Sequence, residues 1–233
     1  VHDRFRRHPD GRGSFAEVMR AARLFEKHGV EYNILFTVTA ETARAPGKVY
    51  SFFKENGFRY LQFMPCIDPL AARRGESRFS LLPEDFAVFL RRFFDRWAED
   101  VLAGDGMSVR YFDNLIAIAA GLPPEACSLR GRCSCQFVFE ADGSCYPCDF
   151  YVSEDWRMGN INESTLRELY GSENARRFLE TGAPLPRDCL ECRWRAVCRG
   201  GCRRDREGGK NYYCRAYRSF LDYAWPRIMQ VSA

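Results

Sequence analysis

The side chains best suited to chemistry in this chain are thiols. Cys189, Cys192, Cys198 and Cys202 fall within one short run, CLECRWRAVCRGGC, and Cys214 follows in NYYC. The two residues between Cys189 and Cys192 let one tight turn offer both sulfurs to a single metal ion or cluster, and Cys198 is near enough to return to the same site. Gly200 and Gly201, just ahead of Cys202, allow backbone conformations closed to other residues and let amides approach sulfur. A four-ligand site has no use for a fifth thiol, so one cysteine of this run is expected to join an upstream group made of Cys127, Cys133, Cys135, Cys145 and Cys148. Spacing does not separate structural zinc from an iron–sulfur cluster, and both readings stand at this point.

Eleven cysteines among 233 residues are many for a chain without metal. A disulfide-stapled secreted module would be shorter and would follow an apolar leader. The opening, VHDRFRRHPDGRG, is rich in charge and has no apolar stretch, so it does not read as a signal peptide. It also lacks an initiator methionine, and a fragment of a longer protein is expected. No apolar run is long enough for a membrane span, so neither a membrane partner nor a location outside the cytoplasm is expected. The formal charge of +4 counts no thiolates. Two four-iron clusters with their sulfur ligands would bring it to about zero. The arginines between positions 193 and 218 are mixed with acidic residues and form no stripe, which argues against nucleic acid as a partner.

The elements that must position these thiols differ between the two halves. SFAEVMRAARLFEKHG, 14–29, reads as a helix with a Ser14/Glu17 capping box, an apolar face of Phe15, Val18, Ala22 and Phe25, and a stop at Gly29. VEYNILFTVT, 30–39, reads as a buried strand; a helix over about 47–56 and the strand FRYLQFMPC follow. This rhythm predicts parallel βα units covered by helices, too few to close a barrel alone. Pro83 opens a helix whose Phe86, Phe89, Leu90, Phe93, Phe94 and Trp97 share one packing face. Beyond about Gly121 the chain turns to short elements. CQFVFEADGSCYPC predicts a β-hairpin with Phe137 and Phe139 pointing the same way, and helices are expected over 164–170, 173–180 and about 212–230, the last kinked or interrupted at Pro226. So little apolar sequence calls for metals or cross-links to hold this half together.

The run GRCSCQFVFEADGSCYPCDF, then WRMGN, CLECRWRAVCRGGC and NYYC, resembles the cysteine-rich C-terminal SPASM domain of radical S-adenosylmethionine enzymes. With GSF in the first helix, LQFMPCIDPL at the second strand and VRYFDNLI before the cysteines, the whole chain is similar to the later two thirds of the anaerobic sulfatase-maturating enzymes. The resemblance implies an α/β fold: residues 1–120 as the C-terminal portion of a partial (β/α)6 barrel, and 121–233 as a SPASM domain with a β-hairpin and short helices. It implies one auxiliary [4Fe-4S] cluster on Cys127, Cys133, Cys148 and Cys202 and a second on Cys189, Cys192, Cys198 and Cys214. Cys202 then accounts for the surplus thiol of the tail, and Cys135 and Cys145 are left over.

The same resemblance makes Asp149 the base that deprotonates the substrate thiol or hydroxyl; on the residues alone Asp149 is more readily a turn cap. Arg6 takes the place of an arginine near S-adenosylmethionine, where a guanidinium pairs with carboxylate, or it is merely exposed. Ile67 falls at a strand end where the family contacts adenine, or is a core residue. Cys66 reads as a small buried hydrophobe, and Tyr111 and Phe112 either line the cavity or pack in the core.

The chain has no CxxxCxxC, the loop that would hold a third, radical-generating [4Fe-4S] cluster with S-adenosylmethionine, so truncation is expected and the chain alone should not cleave that cofactor. The implied activity of the intact enzyme is oxidation of a sulfatase cysteine or serine to Cα-formylglycine. Its partners would be an unfolded or nascent sulfatase peptide and a reducing donor such as flavodoxin or ferredoxin. A sister peptide-modifying enzyme, for instance one forming thioethers, and a non-catalytic cluster-bearing or zinc-bearing peptide-binding module are the other readings.

Overall fold

The computed structural model describes residues 1–68, 73–180 and 184–232; Pro69 and Leu70 of LQFMPCIDPL lie outside them. The described chain groups into two compact units, 1–116 with 219–233, and 117–218.

The first unit opens with a single turn, α1 (His2–Phe5), and α2 (Phe15–Lys27). It continues as β1 (Ile34–Val38), α3 (Ala40–Ala43), α4 (Pro46–Glu55), β2 (Tyr60–Pro65), α5 (Pro83–Leu102), β3 (Ser108–Val109) and α6 (Arg110–Ala119), whose last residues fall in the second unit. The three strands are parallel in the order β1-β2-β3, with Ile34 opposite Leu61 and Leu61 opposite Val109. Alternation along the strands decides which face is covered. Phe36 packs on Phe53 of α4 with ring centres 5.2 Å apart, and Phe63 packs on Phe93 of α5 at 4.9 Å. α5 begins with Pro at its first position and Glu84 and Asp85 in its first turn, as the free amides and dipole of a helix start favour. It buries Phe86, Phe89, Leu90, Phe93, Phe94 and Trp97, each contributing on the order of 1.5–3 kcal/mol. The indole N–H of Trp97 donates to the carbonyl of Met107 at 2.7 Å, so the ring is buried without stranding its donor.

Two expectations for this unit fail locally. Ser14 precedes α2 but forms no capping box: its hydroxyl donates to the carbonyl of Arg6, and the carboxylate of Asp3 accepts from the N–H of Phe15 instead. Glu17 is drawn to His8 and Arg12. Of the α2 face, Ala22 is buried, whereas Phe15, Val18 and Phe25 remain exposed.

The second unit is built from short pieces. β4 (Val138–Phe139), β5 (Ser144–Tyr146) and β6 (Gly159–Asn160) form an antiparallel sheet in that order. Asp142 accepts from the N–H of Ser144 at 2.9 Å and fixes the hairpin turn. Phe137 departs from expectation: with φ 52 it leaves the strand and packs against Cys145, Met158, Leu169 and Ala175, while Phe139 is exposed. α7 (Leu166–Tyr170) has the reciprocal Thr165/Glu168 capping box, and α8 (Glu173–Glu180) follows it. α9 (Arg187–Leu190), α10 (Arg195–Cys198) and the ribbon of β7 (Arg206–Glu207) and β8 (Lys210–Asn211) lead to α11 (Cys214–Ser232). Pro226 lies inside α11 without interrupting it.

Candidate functional site

All eleven cysteines are among the described residues, and none is paired in a disulfide. Cys127 is in a 3-10 turn, Cys127–Leu129; Cys148 precedes a second such turn, Asp149–Tyr151; Cys202 precedes a third, Arg203–Asp205. Cys189 is in α9, Cys192 follows it, Cys198 ends α10 and Cys214 starts α11. Turns and helix ends leave amides without carbonyl partners, and here some point at sulfur. The N–H of Phe150 reaches the sulfur of Cys148, that of Arg204 the sulfur of Cys202, and that of Gly200 the sulfur of Cys198.

The thiols fall into two neighbourhoods. Cys148 feels the charge of Cys202, and Cys202 that of Cys127 and Cys133. Separately, Cys189 feels Cys214 and Cys192, and Cys198 feels Cys214, Cys189 and Cys192. Burial is the main force on these groups. It pushes the thiol of Cys148 up to about 12, with Asp149 adding to it, and that of Cys202 up to about 11, with Asp205 adding to it. Burial likewise raises Cys189, Cys198 and Cys214. Thiols so held protonated become sulfur ligands only when a cation displaces the proton. Among the described residues no three His, Cys, Asp or Glu side chains are arranged to close on one metal ion. The fit to a cofactor therefore rests on the donor set: soft sulfurs in two neighbourhoods, with amides directed at those of Cys148, Cys202 and Cys198, as suits zinc or an iron–sulfur cluster.

Gly200 and Gly201 have φ of +85 and +64, the left-handed region that lets the chain turn from Cys198 to Cys202 within three residues. Arg199, with φ 50, shares that turn; its Nε donates to Ala196 and its Nη1 to the carbonyl of Leu129, tying the end of α10 to the turn that carries Cys127. Cys135 and Cys145 pack together against Met158, Leu169 and Ala175. Cys145 is 0% exposed. Burial raises both thiols, and Cys135 also feels Cys145 and Cys133.

Asp149 is exposed beside Cys148, whose thiol donates to its carboxylate at 3.2 Å. In the first unit, Arg6 is near enough for its charge to act on Cys66, whose thiol is raised by burial and by Asp68. The N–H of Cys66 continues the β1/β2 ladder to the carbonyl of Val38 at 2.8 Å, so Ile67 follows at the carboxyl end of β2. Ile67 thus lies at the carboxyl end of β2, the end at which α/β sheets bind ligands, beside the Cys66 that the charge of Arg6 reaches. Phe112 is fully buried among Phe63, Phe94, Trp97 and Phe220 and is a core residue; the Tyr111 ring is tilted beside it.

The arginines of the tail were invisible to sequence reasoning as contacts. The guanidinium of Arg203 lies over Tyr151 at 4.7 Å, Phe178 at 4.7 Å and Trp156 at 5.4 Å. Arg206 donates to the carbonyls of Gly200 and Gly201. These cations are spent on rings and carbonyls of their own domain, and the available signal was the alternation of Arg with aromatic and cysteine residues.

Residues 127–193 match the SPASM family, described as an iron–sulfur cluster-binding domain. A cysteine-type anaerobic sulfatase-maturating enzyme of Clostridium perfringens is 43% identical over 100% of this chain and 64% of its own length. A serine-type counterpart from Bacteroides thetaiotaomicron is 31% identical over 97% of this chain and 59% of its own. The solved structure of native anSMEcpe with bound AdoMet and Cp18Cys peptide superimposes with a TM-score of 0.94 at 44% identity, over 100% of this chain and 66% of that one. The chain thus spans about two thirds of the length of such relatives. Its parallel sheet followed by antiparallel hairpins and short helices is the architecture of a partial barrel with a SPASM domain.

Proposed function

Because the chain belongs to the anaerobic sulfatase-maturating family, which it matches along its whole length, we propose that its protein oxidises a sulfatase cysteine to Cα-formylglycine. The cysteine-type relative at 43% identity, against 31% for the serine-type one, favours cysteine over serine as the substrate. The relative whose structure holds a Cp18Cys peptide supports a peptide partner, here an unfolded or nascent sulfatase peptide.

The observation that carries this reading is that Cys148, Cys202, Cys127 and Cys133 act on one another's charge, with Cys135 reached through Cys133, while Cys189, Cys192, Cys198 and Cys214 do so separately. Cys127, Cys133, Cys148 and Cys202 would hold one auxiliary [4Fe-4S] cluster, and Cys189, Cys192, Cys198 and Cys214 the other, within residues 121–233. Residues 1–120 would contribute Arg6 and Ile67 toward S-adenosylmethionine. When bound, that cofactor and its reducing cluster supply the hydrogen-abstracting radical, and the auxiliary clusters supply a route for the second electron of a two-electron oxidation. Asp149, exposed next to Cys148, takes the proton from the substrate side chain at its carboxylate oxygen. Placing the base beside a cluster ligand joins proton removal to electron removal at one point. Flavodoxin or ferredoxin chemistry would supply the reducing electron.

The test is anaerobic reconstitution of the chain with iron and sulfide. A brown protein with about eight irons and eight sulfides per chain is expected. A colourless protein that instead retains roughly one or two zincs overturns the redox reading.

A further inference from the structure

The residues that follow Cys148 and Cys202 are stacked on one another. Cys148 leads into Asp149, Phe150 and Tyr151, and Cys202 into Arg203 and Arg204. The guanidinium of Arg204 lies 4.7 Å from the centre of the Phe150 ring. One step along, that of Arg203 lies 4.7 Å from the Tyr151 ring, and its Nε donates to the Tyr151 hydroxyl at 3.2 Å. Two successive cations therefore cover two successive rings, joining segments more than fifty residues apart in sequence. The amides of Phe150 and Arg204 are also the two that point at the sulfurs of Cys148 and Cys202.

We propose that the Arg204–Phe150 stack is a positioning device that holds these two amides on the sulfurs of Cys148 and Cys202 and so raises the reduction potential of the cluster those cysteines would share. It rests on the ligand sets given under the proposed function. Reduction adds negative charge to a cluster and its thiolates, and an N–H dipole aimed at sulfur stabilises that charge. Arg204 also faces Asp205 at 3.9 Å, which offsets its charge, so the fixed amides matter more than the cation itself. Arg203, held by Tyr151 and by the carbonyl of Phe178 at 3.1 Å, fixes the neighbouring residue of each segment and limits how far the pair can slip.

The test uses the reconstituted chain, with each cluster's midpoint potential followed by electron paramagnetic resonance. Arg204→Met removes the cation, and Phe150→Leu removes the ring while leaving every charge in place. Both are expected to keep wild-type iron content and to move one cluster to a more negative potential, with Arg204→Lys in between. A cation–π contact of about 1 kcal/mol caps the change in the oxidised-to-reduced ratio at a fixed potential at about fivefold. The affected signal is the one that Cys202→Ser abolishes. Should Phe150→Leu load poorly, Phe150→Ile and Arg204→Gln make the same comparison. An unchanged potential in the ring variant, with or without a shift in Arg204→Met, overturns the stack as the lever. A wild-type chain that takes up no iron overturns the proposed function before any variant is made, so the two failures are distinct.

Discussion

The thiol of Cys148 donates a hydrogen bond to the carboxylate of Asp149, sulfur to oxygen 3.2 Å. A cysteine bound to iron has no proton left to give, so ligation of Cys148 frees that oxygen for a new donor beside the cluster. Asp149→Asn keeps the shape and loses the basic oxygen. In the intact enzyme it is expected to retain its iron and to lose formylglycine formation by about a hundredfold or more. Mass spectrometry of a sulfatase peptide checks this against iron content. Product formation within a few-fold of wild type would remove Asp149 from the proton transfer.

The two thiol groups make separate predictions for spectroscopy. Cys127→Ser and Cys202→Ser should each lose about half the iron and abolish the same resonance signal. Cys189→Ser and Cys214→Ser should abolish the other. A Cys202 variant that instead matches the Cys189 variant would place Cys202 with its neighbours in the tail.

Cys145 is 0% exposed among Met158, Leu169 and Ala175, and the proposed ligand sets leave it spare. Cys145→Ala should keep full iron and lose about 1 kcal/mol. Cys145→Ser places a hydroxyl in that apolar cluster and should cost about 1–3 kcal/mol. Chemical denaturation with iron analysis checks both, and loss of iron in Cys145→Ala would make it a ligand.

Much of this was legible before any coordinates, and what was not has a common cause. The α5 pattern of Phe86, Phe89, Leu90, Phe93, Phe94 and Trp97 is long and periodic, so it forecast its own burial. The Ser14/Glu17 box failed because Asp3, His8 and Arg12 compete for the same groups from a segment whose fold no local pattern announces. Alternation assigns Phe137 to the strand, yet tertiary packing on Cys145 and Met158 favours its left-handed φ over extension. The spacing of the tail thiols showed that one was surplus. Spacing does not say which one, because the charge of Cys202 acts with those of Cys127, Cys133 and Cys148 only across long loops.

In the first unit, the Tyr50 hydroxyl and Lys54 both donate to Asp100. Burial works against the Asp100 carboxylate, but the bonds from Lys54 and Tyr50 outweigh it and hold its pKa below the ordinary value. A depressed folded pKa contributes stability that is present above pH of about 4 and is lost as pH falls through the folded value. Asp100→Asn should therefore cost about 1–3 kcal/mol at neutral pH and approach wild type under strong acid. Unfolding followed by the fluorescence of buried Trp97 checks this, and a cost independent of pH would assign the effect to packing.

Gly201 offers the sharpest separation of backbone from ligand effects. Its φ of +64 disfavours any side chain, and an added Cβ would stand 2.5 Å from Nδ2 of Asn211. Asn211 cannot simply swing away, because it is buried and its Oδ1 accepts from the N–H of Tyr213 at 2.8 Å. Gly201→Ala should then displace Cys202 and deplete the cluster of Cys127, Cys133 and Cys148, leaving the signal of the Cys189 group in place. Gly208 has a comparable φ of +55 but open space around its Cβ position. Gly208→Ala carries only the backbone cost, about 1–2 kcal/mol, and should load both clusters. Equal iron loss in the two variants would mean that strain in the loop, and not the position of Cys202, governs cluster binding.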